Sequence, residues 1–429
     1  SVQLGATLPG TLSVPAGKVL FNAANKYYYA GDQSAIVAQV SNDGVPGRAF
    51  VLSSLANFVP QNGDTLTLLA DQSEVSLGVG ASDVTIDLGG KVLSGRTGKT
   101  SAVITASGTN LNVKRGTIKA ADKNEAAIAI SAGANAIVAS DATIEGGQTL
   151  GVFLKSPRAS LVVEGSISST SNYAISGNGN GDSDDTSITV KEGASIKSEG
   201  ATAIYHPQIG ELTIEGGSIS GTTGVEMRSG SLTMTGGEVK GTGAFAESAN
   251  DGGPTTTGVG IAVVQHVTLH DLSVSIEGGT VAGTKNAVRQ KTLVTDTSAV
   301  DKVKLSISGG TFTCDGTASD AASVYSENCT GFVAGGTYVG DPLAYLAQGC
   351  TSHANADGTY TVSQPTASVA ASDGTAVSYG TFAEAWAAAT DGSTLTLLAD
   401  AALSDEAVLD GKRSVTFDLN GFNVVFGKA

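Results

Sequence analysis

A pattern of the form apolar-polar-apolar-x-Gly-Gly-x-apolar recurs along this chain and constrains its fold more than any other feature. It reads Ile144-Glu145-Gly146-Gly147, Ile214-Glu215-Gly216-Gly217-Ser218-Ile219, Met234-Thr235-Gly236-Gly237-Glu238-Val239, Ile276-Glu277-Gly278-Gly279-Thr280-Val281 and Ile307-Ser308-Gly309-Gly310-Thr311-Phe312. Looser copies stand at Val163-Glu164-Gly165-Ser166-Ile167 and Val190-Lys191-Glu192-Gly193-Ala194-Ser195-Ile196. Neighbouring copies lie roughly 20 to 30 residues apart, the range in which each repeat is one turn of a solenoid. Each copy holds two short alternating strands, such as Leu212-Thr213-Ile214 and Ser218-Ile219-Ser220, on either side of a Gly-Gly corner. Alternation sends every second side chain inward, and glycine takes the positive φ or tight bend that a β-branched residue resists. One unit cannot bury its own apolar face. Units stacked at a strand spacing of about 4.8 Å form parallel sheets around a continuous core of Val, Ile and Leu. The expected fold is all-β, a right-handed parallel β-helix (solenoid) with short capping helices, because parallel crossovers are nearly always right-handed. Helical periodicity is almost absent between residues 64 and 340, which argues against an α/β fold. A β-sandwich array fits the uneven repeat lengths and the Gly-Gly corners less well.

A second level of repetition joins the two ends. Asn62-Gly63-Asp64-Thr65-Leu66-Thr67-Leu68-Leu69-Ala70-Asp71 and Val84-Thr85-Ile86-Asp87-Leu88-Gly89-Gly90 return as Asp391-Gly392-Ser393-Thr394-Leu395-Thr396-Leu397-Leu398-Ala399-Asp400 and Val415-Thr416-Phe417-Asp418-Leu419-Asn420-Gly421. Both copies follow a helix-like stretch, Ala49 to Phe58 and Thr381 to Ala389. In the second, Phe382, Ala385, Trp386 and Ala389 share a face at helical spacing, as in a helix laid across the open end of a solenoid. Trp386 reads as a cap anchor before it reads as a sugar-stacking platform.

Composition points to a polar-coated repeat protein. There are 57 Gly in 429 residues, 5% aromatic and 15% charged residues, and abundant Ser and Thr. A net charge of −16 disfavours nucleic acid and anionic membrane surfaces as partners, and no run is long enough to span a bilayer. The three cysteines, Cys314, Cys329 and Cys350, leave at least one thiol unpaired; they read as apolar fillers, with a Cys314–Cys329 bridge as the alternative.

One stretch carries a more specific resemblance. Gly335-Gly336-Thr337-Tyr338-Val339-Gly340-Asp341-Pro342-Leu343-Ala344-Tyr345-Leu346-Ala347 is followed by Asn355-Ala356-Asp357-Gly358-Thr359-Tyr360-Thr361-Val362. With the Gly-Gly-Thr-Phe/Tyr repeats and the Leu-Thr-Leu-Leu-Ala-Asp opening, it resembles the adhesin-like surface β-helix proteins of gut-dwelling Gram-positive bacteria, over residues 45 to 429. The resemblance implies an extracellular module of a cell-wall-anchored protein, non-catalytic, acting as adhesin or structural stalk. Its partners would be host or microbial surface glycans or glycoproteins and further modules of the same protein. Cys350 departs from the pattern, which has an aromatic there. On this reading residues 1–44 are a lead or capping segment, 45–363 a capped β-helix module, and 364–375 a linker. Residues 376–429 are then the start of a second module with room for a cap and about two turns, too little to bury a core alone. A truncated module, packing back on the first module, and stacking on another chain would each account for it.

Chemistry has to be sought on the surface of such a scaffold. No cofactor is required by the sequence, but Asn178, Asn180, Asp182, Asp184 and Asp185 form an oxygen-rich run that suits calcium. The run lacks the Gly and the final Glu of an EF-hand loop, and a solvated connecting loop is the simpler reading. Glu145, Glu164, Glu192, Glu215 and Glu277 fall at matching corner positions, where stacked carboxylates would splay into water or hold a cation. His266 and His270, read as one strand face with Asp271 beside them, form a candidate ligand-binding set that could bind zinc, with plain surface residues as the simpler reading. They follow a Gly-rich excursion, Gly241 to Gly260, placed to contact a ligand. A polysaccharide lyase or glycoside hydrolase of the β-helix type is the alternative to a binding module. It would need a carboxylate pair or clustered basic residues, and only 24 Lys and Arg are spread along the chain. No Gly-x-Ser-x-Gly turn, P-loop or paired-Cys zinc spacing is present.

Overall fold

The computed structural model describes residues 19–21, 27–29, 36–45, 49–179, 185–295, 302–315, 322–403 and 413–426. These residues are rich in strand and contain one α-helix, Phe382–Ala388. Most strands fall into three long parallel ladders. The first runs from Thr65–Leu68 through Thr186–Val190 and Gly210–Ile214 to Val303–Ile307. The second includes Ala142–Glu145, Ser166–Ser169, Ser218–Gly221 and Glu238–Gly241, and ends at Gly336–Val339. The third runs from Leu77–Val79 through Ile175–Ser176, Ile204–His206 and Val225–Met227 to Val324–Ser326. On successive passes the chain visits the ladders in the same order.

Register turns the sequence repeat into columns of like side chains. Val138, Val163, Val190, Ile214, Met234, Ile276 and Ile307 are successive partners in the first ladder. Ile144, Ile167, Ile196, Ile219, Val239, Val281 and Phe312 follow one another in the second. All are buried in one core cluster that extends from Ala38 to Val362. A slip of one residue would turn every one of these apolar side chains to the other face, and so one column fixes the register of the whole ladder.

The two glycines of a corner are there for different reasons. The second has positive φ: 76° at Gly217, 80° at Gly237, 84° at Gly279 and 106° at Gly310. The first has no space, since a Cβ on Gly236 would lie 2.5 Å from the Glu215 carbonyl oxygen and one on Gly309 would lie 2.3 Å from that of Glu277. Ile144-Glu145-Gly146-Gly147 is out of phase with the other copies: it closes the second ladder, whereas the rest lie between the first and second. The expected stack of carboxylates is also broken. Backbone bonds order the residues after the first-ladder strands as Glu164, Lys191, Glu215, Thr235, Glu277 and Ser308. Lys191 thus separates two glutamates and pairs with Glu215 at 2.8 Å. Glu145 is on the second ladder, 3.6 Å from Lys119.

The excursion after Glu238–Gly241 folds back as a small hairpin, Ala246–Glu247 against Thr256–Thr257. Ladder strands beside it lose the usual alternation of burial: every residue of Val225–Met227, Val259–Val263 and Asn286–Gln290 is buried. Arg289 reaches outward from this face to Glu247, at 2.6 and 2.9 Å, and lies over the Phe245 ring at 5.0 Å.

At the first end, Ala49–Leu52 is a strand rather than helix and pairs antiparallel with Ala38–Ser41; only Leu55–Asn57 forms a short 3-10 turn. Phe50 and Val51 suit a strand, and the segment finds the open edge of Ala38–Ser41, which overrides local helix preference. Phe382–Ala388 is helical as expected, with Thr381 and Glu384 forming a capping box. Its Phe382, Ala385 and Ala389 enter a second core cluster with Ala367, Leu395 and Leu397. Trp386 packs at the edge of that core beneath Arg413, 5.5 Å from its ring centroid. Outside this second cluster Phe417 and Leu419 are 40% and 46% exposed, whereas their repeat counterparts Ile86 and Leu88 are fully buried. Ile86 is covered by the next pass, which pairs it with Val113. The three cysteines are free thiols, so the Cys314–Cys329 bridge does not form. Among the described residues no helix is long and apolar enough to cross a membrane.

Candidate functional site

An open groove of about 630 Å³ lies where the chain enters the first ladder. Its floor is made by Gly210 and Gly230, stacked so closely that a Cβ on Gly230 would lie 2.3 Å from the Gly210 carbonyl oxygen. A Cβ on Gly210 would likewise lie 2.4 Å from the Thr186 carbonyl oxygen, so close stacking of the passes requires glycine at both positions. The outward column Ser187, Glu211, Ser231 and Ser273, in register on four passes, lines one wall. Asp185, His270, Asp271 and Lys302 close the rest. The lining therefore carries hydroxyls and carboxylates with one imidazole and one ammonium, and no Phe, Tyr or Trp, a set that donates and accepts hydrogen bonds to a polyhydroxylated ligand.

Asp185 and the consecutive His270 and Asp271, far from it in sequence, thus meet in one groove. His266 does not join them, and His266 and His270 do not share a strand face. Residues 264–271 form a connector between ladders, with Leu269 at a φ of 56°. In it the buried His266 ring turns back so that Nδ1 meets the Thr268 hydroxyl at 3.0 Å. Burial, with the nearby Arg228 and His270 charges, lowers its pKa to about 4. Asn178 is half-buried, and Asn180, Asp182 and Asp184 lie outside the described residues. Among the described residues no group of three or more His, Cys, Asp and Glu is placed to hold a metal ion.

The connector is held from behind by a buried arginine. Arg228 is fully buried; its Nε donates to the Val264 carbonyl at 2.7 Å and its Nη2 to the Gln265 carbonyl at 3.4 Å. Gln265 in turn donates to the carbonyl of His270 at 2.8 Å. Lys302 donates to the Leu269 carbonyl at 3.3 Å, and the Asp271 carbonyl accepts from Gly230 at 2.9 Å. The other Arg228 N–H groups bind the carbonyls of Asn250, Asp251 and Gly253 in the excursion. One side chain therefore ties the groove wall to the excursion.

Beside it the outward column of the third ladder carries Tyr205 and then Glu226 on adjacent passes. Glu226 is fully buried, 3.9 Å from Arg228, and its Oε1 accepts 2.8 Å bonds from the Thr255 amide and hydroxyl. Oε2 has no hydrogen-bond partner among the described residues. Burial outweighs Arg228, Thr255 and the Thr256 amide, lifting the carboxyl pKa to about 7. Tyr173 stacks on Tyr205 with centroids 5.0 Å apart, and burial raises both phenols. On the inner side of the same strand, His206 donates from Nδ1 to the Ser229 carbonyl at 3.1 Å; burial lowers its pKa to about 4, so the ring is neutral.

Sequence reasoning missed this cluster because Glu226 and Arg228 occupy outward positions, for which solvent is the default. The available signal was the coincidence of two charges at alternate positions with the one long excursion of the repeat. Comparison of the chain with protein-family models, curated proteins and solved structures gives no match.

Proposed function

We propose that this chain is a right-handed parallel β-helix module of an extracellular bacterial surface protein, an adhesin or stalk that binds glycans in the groove between Asp185, Glu211, Asp271 and Lys302. The observation that carries the reading is the groove itself: an open, hydroxyl- and carboxylate-lined hollow built from successive passes of a stacked scaffold. The common order in which the passes visit three ladders supports a solenoid, and the general handedness of parallel crossovers supports a right-handed one. Ten intervals of the first ladder separate Leu66 from Val333, which at about 4.8 Å each gives a rod about 48 Å long over those passes. A rigid spacer of that kind suits display at a cell surface. The resemblance to adhesin-like proteins adds the compartment and the partners, surface glycans and further modules.

Binding is favoured over glycan cleavage by where the acidic groups lie. The carboxyl poised at about 7 is Glu226, sealed beneath the excursion and absent from the groove lining. The test is saturable binding of the purified chain to immobilised mucin and a polysaccharide panel, beside the variant Glu211→Lys/Asp271→Lys. The proposal expects binding that weakens at least about tenfold in the variant, a loss of about 1.4 kcal/mol. Binding unchanged in the variant, or no binding to any glycan, sinks the groove reading. Release of reducing ends or unsaturated uronates would replace it with a glycan-degrading enzyme.

A further inference from the structure

Charged groups buried on the outer face of the third ladder hold down residues 243–258. Glu226 and Arg228 lie on one pass, and Arg289 lies two passes further on. Arg228 spends its N–H groups on backbone carbonyls of residues 250–253 and 264–265, so it gives Glu226 charge at 3.9 Å and no hydrogen bond. The carboxylate Oε2 is left without a donor among the described residues, at zero exposure. An ionised carboxylate in that setting is poorly solvated, and lifting the covering segment would return it to water.

We propose that residues 243–258 are a strap whose hold on the third ladder is set by the ionisation of Glu226. Neutral Glu226 keeps the strap closed, and ionised Glu226 favours its lifting. The groups facing Glu226 are Arg228 just past the end of its own strand, Tyr205 and Tyr173 on preceding passes, Thr255 and Thr256 on the strap, with Asp251 and His266 beyond Arg228. The two phenols are raised by burial and the two buried histidines, His206 and His266, are lowered to about 4. Between about pH 5 and about pH 8 these phenols and histidines stay neutral, and Glu226 is the group that changes charge. The sign follows from its raised value. The closed strap binds a proton that the open strap releases, so closure is strongest below the ordinary glutamate value of 4.5, weakens as pH rises through about 7, and then levels off. Lifting would also free Arg228 from the carbonyls of residues 250–253 and slacken the connector that carries His270 and Asp271. The strap itself stands whether or not the groove binds glycans.

The test is hydrogen exchange of the full chain, corrected for the intrinsic rate, at about pH 5.5 and about pH 8. Amides of residues 246–257 should lose protection on the order of tenfold or more at the higher pH, while first-ladder amides of residues 186–190 and 212–214 hold theirs. Glu226→Gln, neutral at every pH and still able to accept from Thr255, should abolish the difference. Thr255→Val keeps the titrating group but removes a donor to its ionised form, and should move the midpoint to higher pH; this variant decides the matter if Glu226→Gln does not fold. Equal strap protection at both pH values in the unaltered chain, the same loss in Glu226→Gln, or an unmoved midpoint in Thr255→Val overturns the proposal.

Discussion

Phe312 and Tyr338 stack ring on ring, centroids 4.8 Å apart and planes 8° from parallel, as consecutive members of the second ladder. They terminate an aliphatic column, and the buried Tyr338 hydroxyl donates to the Gly335 carbonyl at 2.5 Å. Aromatic rings at the last passes fill the space that a following residue would otherwise occupy. Phe312→Ala should therefore cost about 3–5 kcal/mol in denaturant unfolding, and Phe312→Leu distinctly less. Equal costs for the two would mean that the stack is not what closes this end.

The corner glycines predict a contrast between two substitutions to the same residue. Gly236→Ala sets a methyl 2.5 Å from a carbonyl oxygen of the previous pass, whereas Gly78, also on a ladder, has nothing within 4 Å of its Cβ position. Gly236→Ala should destabilise by about 2 kcal/mol or more and Gly78→Ala should stay within about 0.5 kcal/mol. Thermal unfolding of the two proteins measures it.

Acid should weaken the first passes through Asp87. Burial pushes its carboxyl up, but hydrogen bonds from Arg115 and the Gly89 amide more than offset this and hold the pKa below the ordinary value of 3.8. A lowered folded value means stability that is present above pH 3.8 and lost as pH falls through the folded value. Asp87→Asn should flatten the acid limb of a stability-versus-pH curve below about pH 4, and an unchanged limb would assign the loss to other carboxylates.

Arg228 should be among the costliest polar residues to remove. Arg228→Met leaves carbonyls of residues 250–253 and 264 without their donor and Glu226 without its charge partner. A loss of about 3–5 kcal/mol is expected. In the double variant Arg228→Met/Glu226→Gln the total should fall short of the sum of the single changes, because the orphaned carboxylate is gone. Strict additivity would show the two side chains to be independent.

The stacked strands were legible because Ile, Val and Gly recur at positions that have only one use, apolar stacking or a tight corner. Phase was harder: Ile144-Glu145-Gly146-Gly147 looks like the other copies, yet it closes a different ladder, since two ladders share the same alternation. Charge pairing was illegible for the related reason that Lys191, one position from the expected Glu192, is the residue that takes the glutamate column. Asp185 and the adjacent His270 and Asp271 were visible as parts of two separate sets, and only the register of four passes brings them to one groove. The buried pair Glu226 and Arg228 could not be separated from surface charges, because the alternation that marks a residue as outward carries no information about what lies over it.

Ile214 and Met234 are neighbours in the first ladder although 20 positions apart in sequence, while Met234 and Ile276 are neighbours at 42 positions. The extra length of chain leaves and returns without disturbing either column. Scaffold and ornament are thus separable in this molecule: a corner can lengthen, shorten or exchange its loop while the stacked residues on both sides keep their partners. Selection can rework the face presented to the outside one corner at a time, and an engineer could graft a foreign loop in place of residues 243–258 on the same terms, provided the buried charges beneath were neutralised with it.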